Sequence, residues 1–336
     1  MKNFLFAFLI LFCVGCGNAL QPTPISIPLA SSPRNILVDT DVSVDDILAL
    51  LYLLSRPDVN VQAITIAGTG ITRCDAGIRN VRAILETMER TDIPIACGRE
   101  TPLQGNHTFP KEWRDAAETF FGANLQPTQF VTPNENAVAL LTRTLQESHA
   151  PLTILALGPL TNLVDAFAQK PTLTHKIEML YSMGGAVQVK GNVEQAPNAE
   201  WNFYIDPTAV ERVFASGVPL TLVPLDATNH VPVTRAFLTR LNESKQTPAA
   251  KLAERVLQSQ RGGIENGAYF IWDGIAAALV TDETLGTLQE MPLVIEPETG
   301  RTKQDAQGTR VRFATKMDAP RFEATFLQTL NRQFNP

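Results

Sequence analysis

From residue 35 onward, short apolar runs alternate with stretches whose apolar residues recur at helical spacing. The runs occupy 36–38, 61–67, 152–157, 177–183 and 220–225; the amphipathic stretches cover 45–55, 75–90, 135–148, 160–169 and 207–215. Strands apolar on both faces and separated by helices predict an α/β fold: a doubly wound, mostly parallel central sheet with helices on both faces. Each run gives way to glycine or polar residues. Four aspartates follow the first, Gly68-Thr69-Gly70 the second, and Gly158-Pro159-Leu160-Thr161-Asn162 the third. Gly184-Gly185 follows the fourth, and Asp226-Ala227-Thr228-Asn229-His230 closes the fifth. In an open parallel sheet these ends emerge on one side, and ligands bind in the crevice outside them.

Composition narrows the picture. With 336 residues, 44% hydrophobic and 18% charged, the chain can bury a sizeable core. A net charge of -6 and the lack of a dense Lys/Arg cluster argue against a nucleic-acid surface. The N-terminus stands apart. Lys2 precedes an apolar run, 4–14, too short to span a bilayer but suited to a signal-peptide core. It ends in Val14-Gly15-Cys16-Gly17, which resembles a bacterial lipoprotein processing site with Cys16 as the acylated residue, although Cys13 stands where Leu is usual. An ordinary cleaved signal peptide is the alternative. Residues 1–16 are thus a lipoprotein-like signal peptide, 17–33, with Pro22, Pro24, Pro28 and Pro33, an extended tether, and 34–336 one folded domain. The expected location is outside the cytoplasm, with membrane contact only through the lipid anchor. Cys74 and Cys97 remain in the mature chain, and buried free thiols are the expected state, though an oxidising compartment permits a disulfide.

The chemistry concentrates in ILVDTDVSVDD, residues 36–46, which sets Asp39, Asp41, Asp45 and Asp46 at the end of the first strand. Crowded carboxylates repel, so a cation belongs among them. An EF-hand loop needs Gly sixth and Glu twelfth, where Val44 and Leu50 stand. A haloacid-dehalogenase-type phosphatase would use Asp39-Thr40-Asp41, but it leaves Asp45 and Asp46 without a role and lacks a later Lys and acidic motif. Helix capping alone explains one or two of the acids, at about 0.3–1 kcal/mol each. Oxygen ligands select a hard divalent ion, Ca²⁺ or Mg²⁺. Asp273, after Trp272 at the head of an apolar helix, is a remote acid suited to complete the shell. The segment 192–206 interleaves polar groups with Trp201, Phe203 and Tyr204, as a sugar-binding loop would.

Together these residues resemble the inosine-uridine nucleoside N-ribohydrolase family over roughly 34–332. The most specific part is Asp39-Thr40-Asp41-x-x-x-Asp45-Asp46, similar to the family's DxDPGxDD. Gly158-Pro159-Leu160-Thr161-Asn162, Met183-Gly184-Gly185, Ala199-Glu200-Trp201-Asn202, Asp206-Pro207 and Trp272-Asp273 support it in order. The resemblance implies Ca²⁺ held by Asp41, Asp46, Asp273 and the Thr161 carbonyl, with Asp45 as general base on water at that ion and Asp39 in support. It implies ribose contacts from Asn192 or Asn198, Glu200 and Asn202, hydrolysis of nucleosides to ribose and free base, and a homodimer or homotetramer. There are departures. Val42-Ser43 stands for Pro-Gly, Ile71 for an Asn, and Trp272 for a His that would protonate the leaving base. Stacking on Trp272, or His107 or His230, would then assist departure; His149 and His175 belong to the surface. An exported riboside-binding protein without catalysis is the rival reading.

Overall fold

The structure is a computed structural model and describes residues 32–127 and 133–332. The expected signal peptide and most of the tether lie outside the described residues. Among the described residues nine strands form one sheet: β1 (Arg34–Thr40), β2 (Val59–Ile66), β3 (Ile95–Cys97), β4 (Leu152–Ala156), β5 (Ile177–Met183), β6 (Leu220–Val223), β7 (Gly286–Ile295), β8 (Thr302–Gln304) and β9 (Thr309–Met317). Their order is β3-β2-β1-β4-β5-β6-β9-β7-β8. From β3 to β9 the neighbours pair in parallel, and β7 runs antiparallel to both β9 and β8.

Alternation along β1 shows why the apolar runs are continuous. Ile36 and Val38 belong to one buried cluster, whereas Leu37 belongs to a second. Successive side chains on a strand point to opposite faces, so both faces of the sheet are covered. The five expected strands and five expected helices are all present, with ends shifted by a few residues. The sheet order reverses direction between β1 and β4, which is the switch point where open α/β sheets bind ligands.

The helix Val44–Leu54 leaves this point wholly buried and packs along the helix Trp272–Thr281. That packing carries Asp273 from a distance of more than two hundred residues to the end of β1. Apolar residues all round the Val44–Leu54 helix make this possible, because a helix hydrophobic on every side is buried on every side.

The two mature cysteines correct one expectation: Cys74 and Cys97 form a disulfide rather than free thiols. Cys97 ends β3, which the sequence did not reveal, and Cys74 opens the helix Cys74–Thr87. Parallel pairing of β3 with β2 sets their Cα atoms 5.5 Å apart, within bridging range.

Candidate active site

At the carboxyl end of β1 the chain turns sharply through Val42, whose φ of 61° lies in the left-handed region. A β-branched residue rarely adopts it. Burial of the Val42 side chain in the core and a hydrogen bond from its N–H to Thr40 Oγ1 (3.1 Å) hold it there. The turn throws Asp45 and Asp46 onto the first turn of the next helix, beside Asp41. Asp46 accepts from the Ser43 N–H (3.0 Å), the Asp41 N–H (3.2 Å) and the Thr40 hydroxyl. The first of these is half of a capping box.

Asp41 is gripped from two sides. Its Oδ2 accepts the Ile71 N–H at 3.0 Å, and Thr72 Oγ1 donates to its backbone carbonyl. Gly70 and Gly158, from the loops after β2 and β4, close around it. A Cβ on Gly70 would stand 2.2 Å from the Asp41 Cβ, and one on Gly158 2.8 Å from the same atom. The strand-end glycines therefore exist for close approach, not merely for turning.

Oxygens of Asp45, Asp46 and Asp273 all lie within 4.8 Å of one another, and all three residues are buried. Asp45 Oδ2 accepts the Asp273 N–H at 3.3 Å, and its Oδ1 takes the Ser43 hydroxyl. Asp273 Oδ1 is buried with no hydrogen-bond partner among the described residues. Burial, and then the charge of Asp46, pushes Asp45 up to about 6. Burial and neighbouring acids raise Asp41 and Asp273 well above the carboxylate range. Such a cluster, all oxygen and with an orphaned carboxylate atom, fits a hard divalent cation.

The other expected residues fall into two groups. Asn192, Glu200, Asn202 and Trp272 line the same cavity, of about 470 Å³, together with Asp41, Asp45, Asp46 and Asp273. Glu200 caps the helix Trp201–Ile205 and accepts the N–H groups of Asn202 and Gly185, both at 2.9 Å. Burial pushes it up to about 7. Asn202 donates to the Leu157 carbonyl (2.8 Å), and Asn192 Oδ1 accepts the Trp201 N–H (3.1 Å).

Asp39, Thr161, Asn198, His107 and His230 are not among the lining residues. Asp39 lies fully buried behind the acids, accepting from Thr65 Oγ1 (2.6 Å) and Asn162 Nδ2 (2.8 Å). Thr161 opens the helix Thr161–Gln169 and donates its hydroxyl to Asp206 (2.8 Å). Asn198 is exposed. His107 stacks on Tyr204, ring centroids 4.0 Å apart, and His149 and His175 are exposed as expected.

The cavity also has a wall that sequence reasoning missed. Phe109, Trp113 and Trp201 form an aromatic cluster, with centroids 5.2 Å apart for Phe109–Trp201 and 5.4 Å for Trp113–Trp201. Trp113 is 45% exposed, an uncommon state for so large an apolar side chain beside a cavity. Tyr269, three residues before Trp272, lines the cavity as well. The signal available in advance was the excess of aromatics in two separated loops, without a reason to bring them together.

Residues 36–324 match the family profile described as inosine-uridine preferring nucleoside hydrolase. The pyrimidine-specific ribonucleoside hydrolase RihA of Escherichia coli O1:K1 is 38% identical over 206 residues, 60% of this chain. The match spans 65% of that relative's length. Among solved structures, a plant nucleoside hydrolase, PpNRh1, superposes with a TM-score of 0.79 at 26% identity, covering 90% of this chain and all of that one, 100%. The inosine-uridine preferring nucleoside hydrolase of Bacillus anthracis shares the fold, with a TM-score of 0.78 at 24% identity over 89% of this chain and 99% of that one. With the acid cluster at its β1 end and a profile match across nearly the whole sheet, the chain belongs to the inosine-uridine preferring nucleoside hydrolase family.

Proposed function

We propose that the protein hydrolyses the N-glycosidic bond of ribonucleosides, giving ribose and a free base, with Ca²⁺ in the acid cluster. One observation carries this reading: a single cavity joins a floor of carboxylates to an aromatic wall. The floor suits a polyhydroxylated sugar and the wall suits a flat base. Both of the relatives named above at more than a quarter identity carry nucleoside hydrolase in their names.

Asp41, Asp46 and Asp273 would hold the ion, with the Thr161 carbonyl as a further ligand. When bound, a hard divalent cation neutralises the crowded acids and supplies an electrostatic template for the sugar's hydroxyls. Asp45 acts as general base on the attacking water. Burial and the charge of Asp46 raise its carboxylate in the metal-free protein, and a cation beside it offsets that rise, leaving an ionised base to take the water's proton. Positive charge grows on the sugar as the bond breaks, and the surrounding carboxylates stabilise it. Asn192, Glu200 and Asn202 orient the ribose, and Asp39 supports the acids from behind.

We also place the protein outside the cytoplasm, anchored by lipid at Cys16 and assembled as a homodimer or homotetramer. The apolar run 4–14 and the Cys74–Cys97 disulfide support the location, since disulfides persist in oxidising compartments. The assembly follows from the resemblance alone.

The test is reducing-sugar release from a panel of purine and pyrimidine nucleosides. Asp45→Asn should lower kcat by about a hundredfold or more while riboside binding persists. Bound calcium, measured directly, should fall in Asp46→Ala and Asp273→Ala. Ribosides that bind wild-type protein without being cleaved would instead mark a binding protein, and phosphate release from phosphate esters would mark a phosphatase.

A further inference from the structure

We propose that the Cys74–Cys97 disulfide is a positioning element of the acid site, fixing Asp41 for the cation, so that opening the bridge weakens calcium binding. This rests on the calcium reading above. The inference starts from what the two cysteines border. Cys74 follows the loop 67–73 after β2, and Cys97 precedes the loop 98–100 after β3. Both loops press on the acids.

The loop 67–73 reaches two of the proposed ligands. Ile71 donates its N–H to Asp41 Oδ2 at 3.0 Å. The Thr72 hydroxyl donates to the carbonyls of Asp41 and of Val42, the left-handed residue of the acid turn. The Thr69 hydroxyl meets that of Thr161 at 3.2 Å. The loop 98–100 acts one layer behind. A Cβ on Gly98 would stand 1.8 Å from Oδ1 of Asn162, the side chain whose amide donates to Asp39. Glu100 accepts the Cys74 N–H at 2.7 Å. Gly68 lies where the two loops meet: a Cβ there would stand 2.9 Å from the Arg99 carbonyl oxygen and 2.9 Å from Cys74 Sγ.

Other ties on the first loop are weaker or circular. Arg73 pairs with Glu118 (3.2 Å) and Asp115 (3.5 Å), but these are exposed pairs, which contribute little. The bonds from Ile71 and Thr72 end on the acid turn itself. They resist the repulsion that drives Asp41 from its neighbouring carboxylates only if the loop is held from outside. The bridge to β3 holds it. A ligand already fixed in its binding geometry binds more tightly, because less ordering accompanies binding.

The coupling is reciprocal. If opening the bridge weakens calcium binding about tenfold, calcium makes the bridge harder to reduce by the same factor. For a two-electron couple that is about 30 mV. Opening is thiol–disulfide exchange: an external dithiol passes two electrons and two protons to the two sulfurs and leaves as its own cyclic disulfide.

Equilibration of the full chain in mixtures of reduced and oxidised dithiothreitol, with and without calcium, measures this coupling without any substrate. Mass analysis of alkylated peptides reads Cys74 and Cys97 separately from Cys13 and Cys16. Calcium should move the midpoint by about 30 mV toward more reducing mixtures. Calorimetric titration of the Cys74→Ser/Cys97→Ser variant should give a calcium Kd about tenfold weaker than that of the oxidised wild type. Saturating calcium should restore most of its turnover. Leu241→Ala removes fully buried side-chain atoms from the helix Arg235–Ser244, which gives the cavity no lining residue. It should lower the melting temperature and leave calcium affinity alone. A midpoint and a Kd that ignore each other's partner would overturn the proposal while leaving the calcium and hydrolase readings intact. Equal weakening in Leu241→Ala would also overturn it, by tracing the effect to lost stability. Oxidised wild-type protein that binds no calcium would refute the calcium reading and this inference with it.

Discussion

Gly70→Ala tests whether close packing around Asp41 builds the acid site. The added Cβ would stand 2.2 Å from the Asp41 Cβ and 2.4 Å from its Oδ2. Carbon atoms settle at about 3.5–4.0 Å, so one side must yield by roughly 1.3 Å or more. Asp41 has little room to retreat, since Gly158 lies against it from the next loop. The Ile71 N–H that fixes its carboxylate sits on the loop being pushed away. Overpacking of this kind costs about 1–3 kcal/mol. Domain stabilities are about 5–15 kcal/mol, so the variant should still fold. Misplacing a catalytic group by about 1 Å costs on the order of a hundredfold, and that is the expected loss in kcat/KM. Calcium binding by titration calorimetry should weaken in parallel, while urea unfolding shows only the modest loss of stability. Gly262→Ala is the control, because none of the described residues lies within 4 Å of a Cβ there. A Gly70→Ala protein with wild-type calcium affinity and wild-type turnover would refute the claim that this contact shapes the site.

Two further outcomes follow from the buried acids and the disulfide. Burial pushes Asp39 up to about 7, Glu200 to about 7 and Asp45 to about 6, so between the ordinary carboxylate range and about pH 7 the folded, metal-free protein binds more protons than the unfolded chain. Stability of the chelated protein therefore falls as pH rises through that window, and added calcium should raise the melting temperature more at pH 8 than at pH 5. A calcium shift independent of pH would refute this. Replacing Cys74 and Cys97 by Ser opens a loop with a sequence separation of 23 and should cost about 3 kcal/mol in urea unfolding relative to the oxidised protein. Equal urea midpoints would show that the bridge adds nothing.

The parts legible in advance were those whose signal is local. Five central strands announce themselves because they are apolar on both faces, and the acids of 39–46 sit in a motif eight residues long. The short β3 gives no such signal, with three strand residues between Pro94 and Gly98. The strand β7 exposes much of its length and contains Pro292, which breaks the apolar pattern. Missing β3 also hid the disulfide, which depends on where that strand pairs. Asp273 was found because it opens an apolar helix. Tyr269, Phe109 and Trp113 were not assigned, since only the packing of separate loops brings them around one cavity. His107 shows the same limit from the other side: its ring is stacked on Tyr204 rather than lining the cavity.

The left-handed Val42 bears on how such a loop is inherited. A proline ring locks φ near −65°, so the Pro-Gly of related motifs cannot be laid onto a backbone that turns at 61°. Changing residue 42 first puts a ring where the chain path forbids it. Changing Ser43 first strips the hydroxyl that Asp45 accepts. Either single step passes through an impaired intermediate, so positions 42 and 43 behave as one heritable unit, and repairing this loop toward a family consensus one residue at a time would damage the protein.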